Sequence, residues 1–340
     1  MVLGGSLYPA GTEAYEKSKT GEPSTMIEIT NLVKNYGSKF AVDDISFRVG
    51  KGEIVGFLGP NGAGKSTTMN ILTGYLSSTS GEAKVGGIDI LENPYEAKKL
   101  IGFLPEQPPV YPDMTVDEYL NFVYEIKQCK LNREKHLTEI RMVTKIDDVR
   151  KRLIKNLSKG YRQRVGIAQA LVGNPPVIIF DEPTVGLDPK QIIEIRNLIR
   201  NLGQNHTVIL STHILSEVQA VCDRIVIINE GKIIADEKTE NITRVVEENR
   251  KYNVKVCGPQ REVQAALNGL SGVVAVEATG ERDGDSYTFQ IEAEKGNDLR
   301  KALFYAMSER NWPIIGLEAV GMNLEEVFIK IMDADLSRKR

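Results

Sequence analysis

The chain has 340 residues, 41% of them hydrophobic and 26% charged, with a net charge of −3. This is the composition of a soluble globular protein of about two domains, and a charge so near balance gives no support to a nucleic-acid partner. Apolar runs such as Val177-Ile178-Ile179-Phe180 fall far short of the roughly 20 residues of a membrane-spanning helix, so any work at a membrane requires other chains to cross it.

Residues 1–25 carry Gly4, Gly5, Pro9, Gly11, Gly21 and Pro23 without periodicity and are expected to form a flexible extension. They lack the basic-then-apolar pattern of a secretory signal. Cys129, Cys222 and Cys257 stand far apart in sequence, with no Cys-x-x-Cys. That points away from disulfides or a zinc site and suits a reducing cytoplasm.

From 26 to 237 the pattern alternates β-rich apolar runs with amphipathic helices. Residues 54–58, 177–180, 208–210 and 225–228 read as short strands buried on both faces. The stretch 67–76 reads as a helix after the first of them. Between the second and third, Ile192, Ile195, Leu198, Ile199 and Leu202 recur at helical spacing. The expected fold is α/β with a mostly parallel sheet. Residues 114–156 differ, being helical and charged. Thr115 with Glu118 forms a capping box, and Val116, Tyr119, Leu120, Val123 and Tyr124 mark one helix face. This is a helical insertion, and the helical subdomain is placed at about 114–170.

Residues 238–340 form a second, smaller α+β unit. Tyr252, Val254 and Val256 alternate as a strand, and Val263, Ala266, Leu267 and Leu270 follow at helical spacing. Two further strands flank the turn signal Asp283-Gly284. Then come a helix with Leu299, Leu303 and Met307, a strand near Ile314-Ile315, and a helix from Asn323. The order β-α-β-β-α-β is that of a ferredoxin-like unit.

Two motifs carry chemistry. Gly59-Pro60-Asn61-Gly62-Ala63-Gly64-Lys65-Ser66 fits the phosphate-loop pattern G-x-x-x-x-G-K-[ST], between an expected strand and an expected helix opening at Thr67. Glycines let backbone N–H groups turn inward on phosphates, and the helix N-terminus adds its positive dipole end. Lys65 supplies a point charge for the β- and γ-phosphates, and Ser66 a hydroxyl for Mg²⁺. The strand 177–180 ends in Asp181-Glu182, which brings two carboxylates to the sheet edge where α/β proteins bind ligands. Asp181 is the expected Mg²⁺ partner and Glu182 the expected general base.

The stretch Leu157-Ser158-Lys159-Gly160-Tyr161-Arg162-Gln163-Arg164 begins its motif 92 residues after Ser66 and precedes a helix. It resembles the L-S-G-G-Q signature of the ATP-binding cassette (ABC) ATPases. With the phosphate loop, the Asp181-Glu182 strand end, Gly186-Leu187-Asp188 as D-loop and His213 after Ser211-Thr212, the span 26–237 is similar to a whole ABC nucleotide-binding domain, a P-loop NTPase core. Lys159 and Tyr161 depart from the family string, whereas Ser158 and Gly160 are kept. Lys159 adds positive charge at the helix start or points to solvent.

The resemblance implies further roles. Tyr36, 29 residues before Lys65, takes the place of the aromatic that stacks on adenine. His213 contacts the γ-phosphate. Glu106, not Gln107, falls at the family's Q-loop glutamine, where its carboxylate reaches Mg²⁺ or a water, with Gln107 the alternative if the loop shifts by one. One phosphate loop and one signature per chain imply that ATP is sandwiched between two copies of the chain. The implied protein is a Mg²⁺-dependent ATPase driving separately encoded membrane permease subunits from the cytoplasmic face. Features at 105–111, 186–189 and 324–328 resemble ABC-2-type exporters. The alternative is a soluble ABC ATPase acting on ribosomes or DNA. Ribosome-directed relatives carry two cassettes per chain, and 92 residues leave no room for a chromosome-type coiled coil.

Overall fold

The computed structural model describes residues 25–241, 250–294 and 297–321. The first part contains β1 (Thr25–Tyr36), β2 (Lys39–Gly50), β3 (Ile54–Leu58), α1 (Lys65–Leu72), β4 (Ser80–Val85), β5 (Ile88–Asp89), α2 (Pro94–Lys99) and β6 (Ile101–Leu104). Next come the helical segments α3 (Val116–Ile126), α4 (Arg133–Thr144) and α5 (Lys159–Leu171). The segment closes with β7 (Val177–Asp181), α6 (Pro189–Gly203), β8 (Thr207–Thr212), α7 (Leu215–Val221), β9 (Arg224–Asn229) and β10 (Lys232–Lys238).

Six strands form one sheet in the order β10-β9-β3-β8-β7-β6. All neighbours run parallel except the β9–β10 pair at one edge. The apolar runs are continuous because the sheet is covered on both faces. Along β7, Ile178 and Phe180 pack with the helical segments, while Val177 and Ile179 belong to the core on the other face. That second core is shared with an antiparallel sheet, β2-β1-β4-β5, which the sequence reading does not anticipate. Its strands are only partly buried, without regular alternation along β1, and carry register shifts between Ile29 and Leu32 and between Thr30 and Val33, so no clean two-residue period marks them.

In the helical insertion the expected capping box is present. Thr115 N–H donates to Glu118 at 2.7 Å and Glu118 N–H to Thr115 Oγ1 at 3.2 Å. The apolar face of α3 is buried from Val116 to Tyr124. Helix α1 begins two residues earlier than the pattern suggested, at Lys65, and ends at Leu72 rather than at residue 76.

The remaining elements are β11 (Arg250–Cys257), α8 (Gln260–Asn268), β12 (Val273–Asp283), β13 (Ser286–Ala293), α9 (Arg300–Ser308) and β14 (Ile314–Gly321). They make a four-stranded antiparallel sheet ordered β12-β13-β11-β14, the β-α-β-β-α-β unit expected from the strand and helix periods. Tyr252, Val254, Phe289 and Ile291 pack its own core with Val263, Leu267, Leu303 and Met307. The expected extension at 1–25, except Thr25, which opens β1, and the expected helix from Asn323 lie outside the described residues. No helix among the described residues is long and apolar enough to cross a membrane.

Candidate functional site

The strand order sets the site. β3, β8 and β7 are consecutive neighbours, with Leu58 beside Thr212 and Asp181 beside Ser211. The loop after β3, the residue after β8 and the end of β7 therefore emerge together at the carboxyl edge of the sheet. A cavity of about 550 Å³ opens there. Asn61, Gly62, Gly64, Lys65, Ser66 and Thr67 form its floor, and Tyr36, Glu106, Glu182 and His213 stand on its walls.

The loop curls because its glycines permit it. Gly64 has φ +109°, and a Cβ there would come within 2.3 Å of the Ala41 carbonyl oxygen. Gly59 and Ala63 do not face the cavity but anchor the loop. Gly59 N–H donates to Thr212 O at 3.4 Å, and the Ala63 carbonyl accepts from Gly231 N–H at 2.9 Å. Lys65 is buried, its ammonium donating to the Gly59 and Pro60 carbonyls at 2.8 and 3.2 Å. It lies 3.4 Å from Glu182 Oε1. His213 Nδ1 meets both oxygens of Glu182, at 3.1 and 3.0 Å. Lys65, Glu182 and His213 thus form one connected charge cluster. Glu182 holds φ +49°, a left-handed conformation that costs a non-glycine residue about 1–2 kcal/mol.

Asp181 is buried behind this cluster, and its Oδ1 has no hydrogen-bond partner. Burial pushes its carboxyl above the usual carboxylate range; the Ser211 and Ser66 hydroxyls oppose this, Glu182 reinforces it, and Lys65 opposes it. An orphaned buried carboxylate oxygen beside a cavity-facing hydroxyl suits a hard cation. Mg²⁺ there would draw its other ligands from phosphate and water.

Glu106 lies on the cavity wall, and Gln107 is not among the lining residues. Tyr36 is 54% exposed at the rim, with Lys34 Nζ 5.2 Å from its ring centre. The structure does not bring Ser158, Gly160 or Asp188 to this cavity. Ser158 caps α5, accepting from Tyr161 N–H at 3.4 Å. Gly160 is buried against Gln191. Asp188 caps α6, accepting from Gln191 N–H at 2.9 Å. The two departures from the signature are engaged within the chain. Tyr161 Oη donates to Asp148 at 2.9 Å. The Lys159 amine lies over Gly186, where an added Cβ would sit 2.0 Å from it.

Sequence reasoning missed the support behind the cluster. Glu217 on α7 accepts hydrogen bonds from Thr184 and Thr212. A lone glutamate on a short amphipathic helix carries no sequence signal of burial.

A cavity at the carboxyl ends of parallel strands, floored by a glycine-rich loop and a helix N-terminus, is the site of a P-loop nucleoside triphosphatase. Comparison with known proteins narrows the class. The family model described as ABC transporter matches residues 42–185. The chain is 38% identical over 231 residues to the bacitracin transport ATP-binding protein BcrA of Bacillus licheniformis, covering 67% of this chain and 74% of that protein. It is 37% identical over 312 residues to the linearmycin resistance ATP-binding protein LnrL of Bacillus subtilis (strain 168), covering 90% and 98%. Among solved structures, the dimeric ATP-binding cassette MJ0796 in a post-hydrolysis state with ADP and Pi superposes with a TM-score of 0.58 at 28% identity, covering 63% of this chain and 99% of that one. The chain belongs to the ABC transporter ATPases and is an ATP-hydrolysing enzyme.

Proposed function

We propose that this ATPase works as a head-to-tail pair, each ATP held between the phosphate loop of one copy and Ser158 and Gly160 of the other, and that the pair drives a separate membrane permease that exports its substrate. The observation that carries the reading is the division of the site. Lys65, Ser66, Glu106, Glu182 and His213 share one cavity, while Ser158 and Gly160 lie off it. A single chain therefore offers two complementary halves rather than one enclosed site.

In this reading Tyr36 stacks on adenine, the phosphate-loop N–H groups and Lys65 hold the β- and γ-phosphates, and Glu182 takes a proton from the attacking water. His213, already bonded to Glu182, orients that carboxylate and contacts the γ-phosphate. Mg²⁺ held by Ser66 and Asp181 would supply charge neutralisation on the phosphates. Asp188 sits at the start of α6 on the face turned to the second copy. The names of the relatives, one for bacitracin transport and one for linearmycin resistance, support export from the cytoplasmic face. A second cavity of about 610 Å³, lined by Tyr75, Phe103, Pro105, Pro109 and Lys127, adjoins the Glu106 loop and suits an apolar helix of the permease.

The test is mass measurement in solution. A Glu182→Gln chain of 37.7 kDa is expected to double its mass with ATP and Mg²⁺ and not with ADP. A Ser158→Arg change in the same background is expected to keep it monomeric. ATP-bound monomer in the first variant would refute the paired site.

A further inference from the structure

Glu217 lies in α7 and is 1% exposed. It does not face the nucleotide cavity. Its carboxylate accepts from Thr184 Oγ1 at 2.6 Å and from Thr212 Oγ1 at 2.9 Å, and it lies 4.0 Å from Arg196 Nη2. A buried carboxylate is costly unless it is paired and hydrogen-bonded, and here its partners come from a loop, the end of a strand and a helix.

Those partners are the neighbours of the two residues that face the γ-phosphate position. Thr184 is two residues beyond Glu182, in a tight turn in which Val185 N–H donates to Glu182 O at 3.3 Å and Leu187 N–H to Thr184 O at 3.1 Å. Thr212 immediately precedes His213. The backbone ladder between the two strands extends only to Glu182 N–H donating to Ser211 O at 2.9 Å. The Thr212 carbonyl faces the other neighbour of β8 and accepts from Gly59 N–H in the phosphate loop, continuing the β3–β8 ladder. Past that point β7 runs into the D-loop and β8 into α7. Glu217 ties the two back together. Arg196 adds the helix that follows the D-loop.

The residue type fits the task. An ionised carboxylate has two acceptor oxygens and no donor, so it holds two hydroxyls at once and fixes the direction of both protons. Glu182, strained at φ +49°, needs neighbours that over-determine its position. We propose that Glu217 is a positioning residue that sets Glu182 and His213 in register through the paired hydroxyls of Thr184 and Thr212. This rests on the reading of Glu182 and His213 as the residues that act at the γ-phosphate.

The test uses the full chain and four readouts: kcat, KM for ATP, the affinity for a fluorescent ATP analogue, and the thermal midpoint. A misplacement of about 1 Å at a reacting centre costs about 10²-fold in rate. Glu217→Ala is therefore expected to lower kcat by about 10²-fold while analogue affinity changes by less than about threefold, a loss made in the transition state alone. Glu217→Gln accepts from one threonine and donates to the other, and is expected to recover most of that loss. Thr184→Val keeps the side-chain volume and serves if Glu217→Ala does not fold. It is expected to lower kcat about tenfold, and combining it with Thr212→Val is expected to cost less than the product of the two, because both act through one carboxylate. Wild-type kcat in Glu217→Ala or Thr184→Val, or analogue affinity falling as far as kcat, would overturn the proposal. Glu182→Gln is measured alongside. If it is inactive while the Glu217 and Thr184 variants are normal, only the positioning role fails. If it turns over like wild type, the reading of the site fails and takes this role with it.

Discussion

Replacing Glu182 by Gln separates two functions proposed for one carboxylate. The change is isosteric and keeps an oxygen for His213 Nδ1, which now bonds both carboxylate oxygens at 3.0–3.1 Å. What it removes is charge. At 3.4 Å from Lys65, with both groups buried, an effective dielectric of about 20 gives an attraction of about 5 kcal/mol. A γ-phosphate must draw the Lys65 ammonium out of that attraction and then sit beside the same carboxylate, so both effects oppose ATP. If only about a quarter of the attraction survives as net competition, its removal tightens ATP by about 1.2 kcal/mol, or about eightfold. ADP has no γ-phosphate and is expected to gain much less. Turnover moves the other way. Loss of a general base costs about 10²- to 10⁴-fold, or roughly 2.7–5.5 kcal/mol of transition-state stabilisation. Equilibrium binding of fluorescent ATP and ADP analogues, beside steady-state phosphate release, reads both effects. Wild-type turnover would remove Glu182 from proton transfer. ATP binding weaker than wild type, with ADP unchanged, would show that the Lys65–Glu182 pair organises the loop instead of competing with the substrate.

Three other outcomes follow from the same geometry. Tyr36→Ala should weaken binding of ATP and ADP alike, by about 1 kcal/mol or more for a lost ring–base stack, whereas Tyr36→Phe should not; titration with both nucleotides checks this. Glu106→Ala should lower ATPase activity and Gln107→Ala should not; the reverse result in a phosphate-release assay would mean that the loop is shifted by one residue. Acid should destabilise the fold early: burial holds His136 and His206 below the ordinary histidine value of 6.5, so the unfolded chain takes up protons first. The stability from neutral His136 and His206 is then complete above about pH 6.5 and is lost as pH falls below it. Thermal midpoints at pH 7.5 and 5.5 should show a drop that shrinks in His206→Gln, and an unchanged drop would exclude His206 as a contributor.

How far the sequence shows the fold depends on how local the cause is. β3, β7, β8 and β9 are legible because strands buried on both faces must be apolar at every position. The phosphate loop is legible because its chemistry is contiguous: eight residues contain the turn, the charge and the hydroxyl. The antiparallel sheet is not, since its strands are half exposed and interrupted by register shifts. Glu217 is hidden for a different reason. Its partner Thr184 is 33 residues away, and the strand order that joins them is a property of the assembled sheet. The Lys159 departure shows the same limit. Charge and exposure alone suggest solvent or phosphate, yet its amine rests on Gly186 of the D-loop, at φ +70°.

That contact bears on how the two half-sites communicate. Lys159 and Tyr161 are engaged inside the chain, with Gly186 and Asp148 respectively, so neither departure acts primarily as a new phosphate ligand. Ser158 acts only as an acceptor in its cap and keeps its proton to donate to an anion, and Gly160 keeps the backbone bare where it packs on Gln191. Ser158 and Gly160 thus keep the residue types of the family string, while Lys159 and Tyr161 bind the signature to its own D-loop and helical segment. The turn that leads into the D-loop begins at Glu182 and is held by Glu217 through Thr184. In a head-to-tail pair the signature of one copy faces the γ-phosphate bound by the other. In such a pair a displacement of that signature would be carried, through Lys159 on Gly186 and the Thr184–Glu217–Thr212 bonds, to the Glu182 and His213 of its own cavity. Lys159, a departure from the family pattern, would form the first step of that path, and Glu217, absent from every motif, the second.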